Sequence, residues 1–299
     1  APLEKNPQMI MWDPEAHPNV DTIADLGTEG VTINVFGGGT FSDVFVAQGI
    51  WSADQIDPSY DGSPARFVSE GNIAQQGFAS AEPHNYENVY EEWMKPVEYQ
   101  LLHDTGFEVY SQTIAIRPDD KDDLDACLQA VVPIIQQSVV DFAASPDHAA
   151  AIIIDAVAQY ADYWIYDEAL AAYSVSTMSE LGLHSNGPDG TVGNMDPARV
   201  QSVIDWLMSA DMDVDSDLGP DDIMTNEYID ESIGFASGGD SGDEEAAGAL
   251  AGVCPSPLVV QTDWFPESEH GAMYNLIGDG YSVDVDNKVV SGPMVAGGV

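Results

Sequence analysis

The feature that most limits what this chain can become is a rapid switching of apolar periodicity within its first fifty residues. QMIMW at 8–12 is an apolar run of strand length, and PNVDTIADLG at 18–27 reads as a short helix closed by Gly27. VTINVF at 31–36 is a second strand-length run, followed by GGGTFSDVFVAQG, which is glycine-rich and then helical with Gly49 as its stop. Strand, helix, strand and helix in succession predict an α/β unit with parallel strands. VEYQLL at 97–102 and SQTIAIR at 111–117 have the same strand-like character.

The middle third is helical by pattern. Leu124, Leu128, Val131, Val132, Ile135, Val139 and Phe142 recur at helical spacing over 119–143, with Pro133 expected to kink that helix. Ser145 with Pro146 starts a second helix through Tyr160, Asp167 a third ending at Gly182, and Asp196 with Pro197 a fourth through Ser209. Residues 236–252 are small and acidic and read as a flexible linker. Beyond them, SPLVVQT at 256–262 predicts a buried strand, PESEHGAMYNLIG at 266–278 a helix, and 281–299 a β-hairpin. No internal repeat is evident.

Charge narrows the partners. The 299 residues carry 52 Asp and Glu against 7 Lys and Arg, for a net charge of -45, and the acids are spread among apolar segments. This is a solvated acidic surface, which repels nucleic-acid phosphate and anionic membrane, so direct binding to either is not expected. Adaptation to high salt, where screening limits self-repulsion, accounts for it without reference to a ligand. No apolar run of about 18 residues or more predicts a membrane span, and no signal-peptide pattern opens the sequence. Cys127 and Cys254 are too few and too separated for a zinc knuckle or a CxxC redox site. In an exported protein they read as one structural disulfide, otherwise as two reduced buried thiols.

Three constellations can carry chemistry. FGGGTF at 36–41 lies between a strand and a helix, where Gly38, Gly39, Thr40 and Phe41 form either a ligand cradle or a tight structural turn. TDWFPESEHGAMY at 262–274 delivers Asp263 and Trp264 from a strand end, with Glu267 and His270 at the start of the next helix. The alternative there is a core Trp and a surface His. GFASAEPHNYE at 77–87 leaves a further strand and clusters Glu82, His84 and Tyr86. DMDVDSDLGPDD at 211–222 alternates acids like a calcium loop, but Ser216 and Asp222 stand where such a loop needs Gly and Glu, and background acidity explains it. No HExxH, GxSxG or phosphate-binding loop is present, and the six His residues show no metal-ligand spacing.

Taken together, KNPQMIMW, TIADLG, VTINVFGGGTFSDVFVAQG, YDGSPARFVSEGNIAQQGFASAEPHNYE, KPVEYQLLHDTGFEVYSQTIAIRPDD and PSPLVVQTDWFPESEHGAMY resemble the substrate-binding proteins of ABC importers. The nearest branch is the one that includes binders of thiamine-precursor pyrimidines, riboflavin, sulfonates and nitrate-type ligands. The resemblance implies a two-lobed periplasmic-binding-protein type II architecture of the α/β class. The order differs from the family's: the strand before DWFPESEH comes there first, behind an exported or lipidated tether, and the NPQMIMW strand follows. The chain therefore looks circularly permuted, with the first lobe incomplete. On this basis 1–118 is mainly the second lobe, and 119–235 a helical part packing on and crossing between lobes. Residues 236–253 are the former N-terminal tether, and 254–299 the first strand, helix and hairpin of the first lobe.

What the resemblance implies for function is capture of a small, aromatic or heteroaromatic metabolite outside the cytoplasm and delivery to an ABC permease and ATPase, without chemistry and without a cofactor or metal. Trp264 would stack on the ligand, with Asp263, Glu267 and His270 beside it. Gly38, Gly39, Thr40 and Phe41 would offer donors, and Glu82 an acceptor. Glu267 stands where relatives more often carry Asn. A ligand-binding sensor without a transporter is the alternative. A pyrimidine-synthesis enzyme of the same group is a further one, though its cysteine-rich motif and cofactor-holding lysine have no counterpart here.

Overall fold

A computed structural model describes residues 1–235, 250 and 252–295. The chain is a mixed α/β protein that divides into two compact units. One comprises 5–109 and 196–224 and is called the sheet unit here; the other comprises 1–4, 110–195 and 225–299 and is called the helical unit. Most of the linker expected at 236–253, namely 236–249 and 251, lies outside the described residues, as does the end of the hairpin segment, 296–299.

In the sheet unit, β1 (Gln8–Trp12), β2 (Ile33–Asn34), β3 (Ile56–Asp57), β4 (Ala74–Phe78) and β5 (Glu98–Leu101) form one sheet in the order β3-β2-β4-β1-β5. The expectation of parallel strands holds only for part of it. β2 runs parallel to β3 and β4, whereas β1 is antiparallel to both β4 and β5. β1 and β2 are not neighbours, because β4 pairs with both. Sequence alternation identifies strands and helices but does not say which strand a later one inserts beside.

The first helix, α1 (Ile23–Glu29), runs past Gly27 and is closed by Gly30, which takes φ 69°. Gly27 is required for a different reason: a Cβ there would lie 1.8 Å from the Ile50 carbonyl oxygen. Trp51 closes the same contact, its Nε1 donating to the Ile23 carbonyl at 2.9 Å. α2 (Thr40–Ala47) follows β2, with Gly49 just beyond its end at φ 72°. α3 (Ala65–Glu70) links β3 to β4, and α4 (Glu82–Asn88) follows β4. Ile10, Trp12, Leu26, Ile33, Phe45 and Phe107 share one buried core.

In the helical unit, α5 (Lys121–Ala144) continues through Pro133. With the turn before it, this helix is long and apolar enough to cross a membrane, a property that the search for apolar runs did not detect. Cys127, Val131, Ile135, Val139 and Phe142 are buried within the protein, the pattern of a core helix. α6 (Asp147–Tyr160) starts after Pro146 with no side-chain cap, so Ser145 does not cap it, whereas α7 (Glu168–Glu180) follows its expected cap: the Asp167 carboxylate accepts from the Ala169 and Leu170 N–H groups. The fourth helix, α8 (Pro197–Ser209), has Asp196 accepting from the Ala198 N–H, and belongs to the sheet unit. There Trp206 packs on Phe107 with ring centroids 5.8 Å apart, and Arg199 Nη2 donates to the Val109 carbonyl at 3.1 Å. The short α9 (Pro220–Ile223) follows it.

Two expected strands do not form. In SQTIAIR only Ser111 pairs, in an isolated bridge with Leu3, and Ile114 and Ile116 remain exposed. SPLVVQT forms no strand among the described residues: Ser256 and Pro257 lie in a bend, 258–262 take no regular secondary structure, and Val259 is 78% exposed. Both runs have strand-like composition, but pairing depends on a neighbour that the local sequence does not specify. After them, a 3₁₀ turn at Ser268–His270 leads into α10 (Gly271–Tyr274), which packs on α5 and α6. The expected hairpin is β6 (Ser282–Asp284) against β7 (Val289–Ser291).

Candidate functional site

In the helical unit an open cavity of about 270 Å³ lies among Gln112, Ile114, Thr262, Asp263, His270 and Met273. Its chemistry centres on Asp263 and His270. The 3₁₀ turn places the imidazole Nε2 2.8 Å from Asp263 Oδ1, and Gln112 Nε2 donates to the same oxygen at 3.3 Å. The pair is divided between interior and solvent: the His270 side chain is 2% exposed and that of Asp263 72%. His270 Nδ1 is buried without a hydrogen-bond partner among the described residues, a costly arrangement unless a ligand or water meets it.

The hydrogen bond from His270 holds the Asp263 carboxyl below its ordinary range, with partial desolvation opposing. A depressed native value means that Asp263 contributes stability that is complete above about pH 4, its ordinary unfolded value, and is lost as pH falls through the lowered native one. Urea denaturation from about pH 6 down to about pH 2 should therefore show a shallower acid decline for Asp263→Asn than for the parent chain. Equal slopes would mean that the contact with His270 does not persist in solution.

The other expected residues of this stretch lie beside the cavity without lining it. Trp264 is half-buried, its ring edge-on to Phe265 at 5.7 Å, and Phe265 meets Tyr163 at 5.4 Å. Glu267 is also half-buried and off the cavity lining, whereas Glu269 lines it at 5% exposure. Sequence reading passed over YWIY at 163–166. Trp164 Nε1 donates to the Pro266 carbonyl at 3.3 Å, and the Tyr166 hydroxyl meets Ser268 Oγ. Four aromatic or bulky apolar residues directly after a helix end are the signal that could have found this support. Burial raises the Tyr166 phenol well above its ordinary value, so it stays protonated.

The sheet unit assembles a second cluster. β2 leads through α2 to β3 on one side, and β3 leads through α3 to β4 on the other, so the chain reverses direction across the sheet at β2 and β4. In open α/β sheets the carboxyl ends at such a reversal form a natural ligand crevice. FGGGT leaves β2 there and SAE leaves β4. Gln76 ties the two together, its Oε1 accepting from the Phe36 N–H at 3.1 Å. Gly38 takes φ 83° with open space where a Cβ would be, so its backbone conformation is what requires glycine. Thr40 is exposed at the first position of α2. Glu82 turns back over the end of β4, its Oε2 accepting from the Phe78 N–H at 2.8 Å.

Phe41 is corrected by the structure: its side chain is 3% exposed and packs edge-on to Phe45 and Trp51 in the core. Tyr86 is likewise interior, its hydroxyl accepting from Gln75 Nε2 at 2.9 Å. Among the described residues no group of three or more His, Cys, Asp or Glu could hold a metal ion. The acidic run at 211–222 forms no such cluster. Among the described residues the His270 imidazole is hydrogen-bonded to Asp263 and to no Ser, Thr or Cys side chain. Cys127 and Cys254 are joined by a disulfide.

No protein-family model and no curated protein matches the chain.

Proposed function

We propose that this protein is an extracytoplasmic solute-binding protein of the periplasmic-binding-protein type II class, which captures a small aromatic or heteroaromatic metabolite for an ABC permease and ATPase and leaves it chemically unchanged. The observation that carries the proposal is the Asp263–His270–Gln112 constellation at an open cavity: an exposed carboxylate held in place by Gln112 and by the buried His270 imidazole. Such a set suits the polar N–H and O–H groups of a heteroaromatic ring. The strand reversal in the sheet unit, with a glycine turn at its carboxyl edge, is consistent with the same class. The disulfide favours an oxidising compartment.

Asp263→Ala tests the site, with urea denaturation run beside it because the substitution also takes the partner from the buried His270 Nε2 and costs some stability. A charge-assisted hydrogen bond contributes about 1.5–3 kcal/mol, so affinity for a ligand found by thermal-shift screening should fall about tenfold or more. Unchanged affinity in Asp263→Ala would place binding elsewhere.

A further inference from the structure

The charge of the cavity wall in the helical unit, and not only its shape, separates one class of ligand from another. Asp263 and Glu269 both line the cavity, and no Lys or Arg does. The two acids differ in setting. Asp263 lies at the solvent side, and the His270 hydrogen bond holds its carboxyl below its ordinary range, so it is ionised throughout the neutral range. Glu269 is 5% exposed, in surroundings where water and salt screen a charge less. No positive side chain of the unit offsets them. Its three Lys and Arg residues are each paired with a carboxylate off the cavity lining: Arg117 with Asp120 at 2.8 Å, Lys121 with Glu227 at 2.6 Å and Lys288 with Asp162 at 3.8 Å. The residues outside the described ones contain no Lys or Arg.

We propose that this cavity selects a small heteroaromatic cation, a single substituted ring with a positive charge on it, and rejects carboxylates and sulfonates of similar size. The inference rests on the reading of the cavity as the binding site and adds the ligand's charge to it. An anion there would face two acids with no Lys or Arg on the lining to receive it, and like charges brought together are a strong means of exclusion. Volume and apolar lining set the rest of the class. A cavity of about 270 Å³ falls just below the ~300 Å³ at which sites for drug-sized molecules begin, so it suits one ring more than several. Ile114 and Met273 give that ring an apolar wall, and a methionine sulfur packs well at an aromatic edge. An acidic surface of this extent attracts every cation weakly, so selection by the site has to be separated from attraction by the whole chain.

Three pyridines of nearly the same shape make the separation: 1-methylnicotinamide, a permanent cation; nicotinamide, neutral; and nicotinate, an anion. Isothermal titration of the full chain with each, at about pH 8, above the ordinary range of an imidazole, measures the affinities. The cation should bind about tenfold or more tighter than nicotinamide, with nicotinate the weakest of the three. Asp263→Asn removes the charge and keeps an oxygen that can accept a hydrogen bond, so the gap between cation and neutral compound should shrink to about threefold or less. Asp286→Asn makes the same change of charge at an exposed turn position off the lining and should leave the gap as it is. Circular dichroism of each variant checks folding. Equal affinities, or nicotinate the tightest, overturn the charge selection and leave solute capture standing. A gap that survives Asp263→Asn, or that Asp286→Asn closes equally, overturns it too, because the preference then belongs to the general field. Saturation by none of the three also overturns it; solute capture falls with it only if a wider heteroaromatic panel fails to raise the unfolding temperature.

Discussion

Replacing both Cys127 and Cys254 with Ala should lower the unfolding free energy by about 5 kcal/mol, the chain-entropy value for a bond closing a loop of this size, 127 residues. The effect should be large for a second reason. The bond fixes Cys254 against the α5 cluster of Cys127, Val131 and Ile135, immediately before a run, 255–261, with no backbone hydrogen bonds among the described residues. The end of that run, Val260 and Gln261, and the next two residues, Thr262 and Asp263, form one wall of the cavity. Without the bond, no backbone hydrogen bond among the described residues holds 255–261 in place, so ligand-dependent stabilisation should weaken along with the fold. Urea denaturation of the oxidised protein beside the double variant measures the first effect. Intact mass after alkylation should show no labelled thiol in the untreated protein and two after reduction. Two labels before reduction would reject the bond, and a loss under about 1 kcal/mol would mean that the unfolded chain is already restrained.

Gly271→Ala should cost about 3 kcal/mol, the upper part of the range for overpacking a core. A Cβ at Gly271 would lie 2.2 Å from Phe142 Cζ, and Phe142 is 1% exposed, so the ring has no free space into which to withdraw. The position is fixed from the other side by buried hydrogen bonds. Ser138 Oγ donates to the Ala272 carbonyl at 2.7 Å and accepts from Asn275 Nδ2 at 3.3 Å, which holds α10 on α5. Gly271 is thus the close approach that lets α10 sit down and carry His270 to the cavity. Thermal unfolding of Gly271→Ala, Phe142→Leu and the double variant forms the test. The double variant should recover at least ~1 kcal/mol relative to additivity, because the smaller side chain makes room for the added methyl. Strict additivity would indicate that the two residues do not touch.

The parts of this structure governed by local chemistry were legible in the sequence. The Asp167 and Asp196 caps mark their helices because a carboxylate beside free N–H groups is a local event. QMIMW is a strand because its apolar residues are central in a sheet covered on both faces. Gly27 shows the limit of that reasoning. It looks like a helix stop, but its role is set by the Ile50 carbonyl, twenty-three residues away in sequence and in van der Waals contact in space. SQTIAIR and SPLVVQT show the same limit for strands, since composition describes a segment's fitness for a sheet and not the presence of a partner.

The candidate site divides along similar lines. Asp263 and His270 were readable together because a short turn spaces them within one segment, whereas Gln112 reaches Asp263 from 151 residues away. Phe41 was misread because a residue beginning a helix after a glycine turn can face either the ligand side or the core. Its contacts with Phe45 and Trp51, which depend on how α2 docks, decide for the core.

The measurement that tests the central claim most directly is incubation of the purified chain with a panel of heteroaromatic metabolites, followed by thermal unfolding and mass analysis of the recovered small molecules. Binding without chemistry predicts that at least one compound raises the unfolding temperature, by about 2.7 kcal/mol of stabilisation at a hundredfold excess over its dissociation constant, and is recovered unaltered. A compound recovered chemically changed, with amounts exceeding the protein present, would contradict the account.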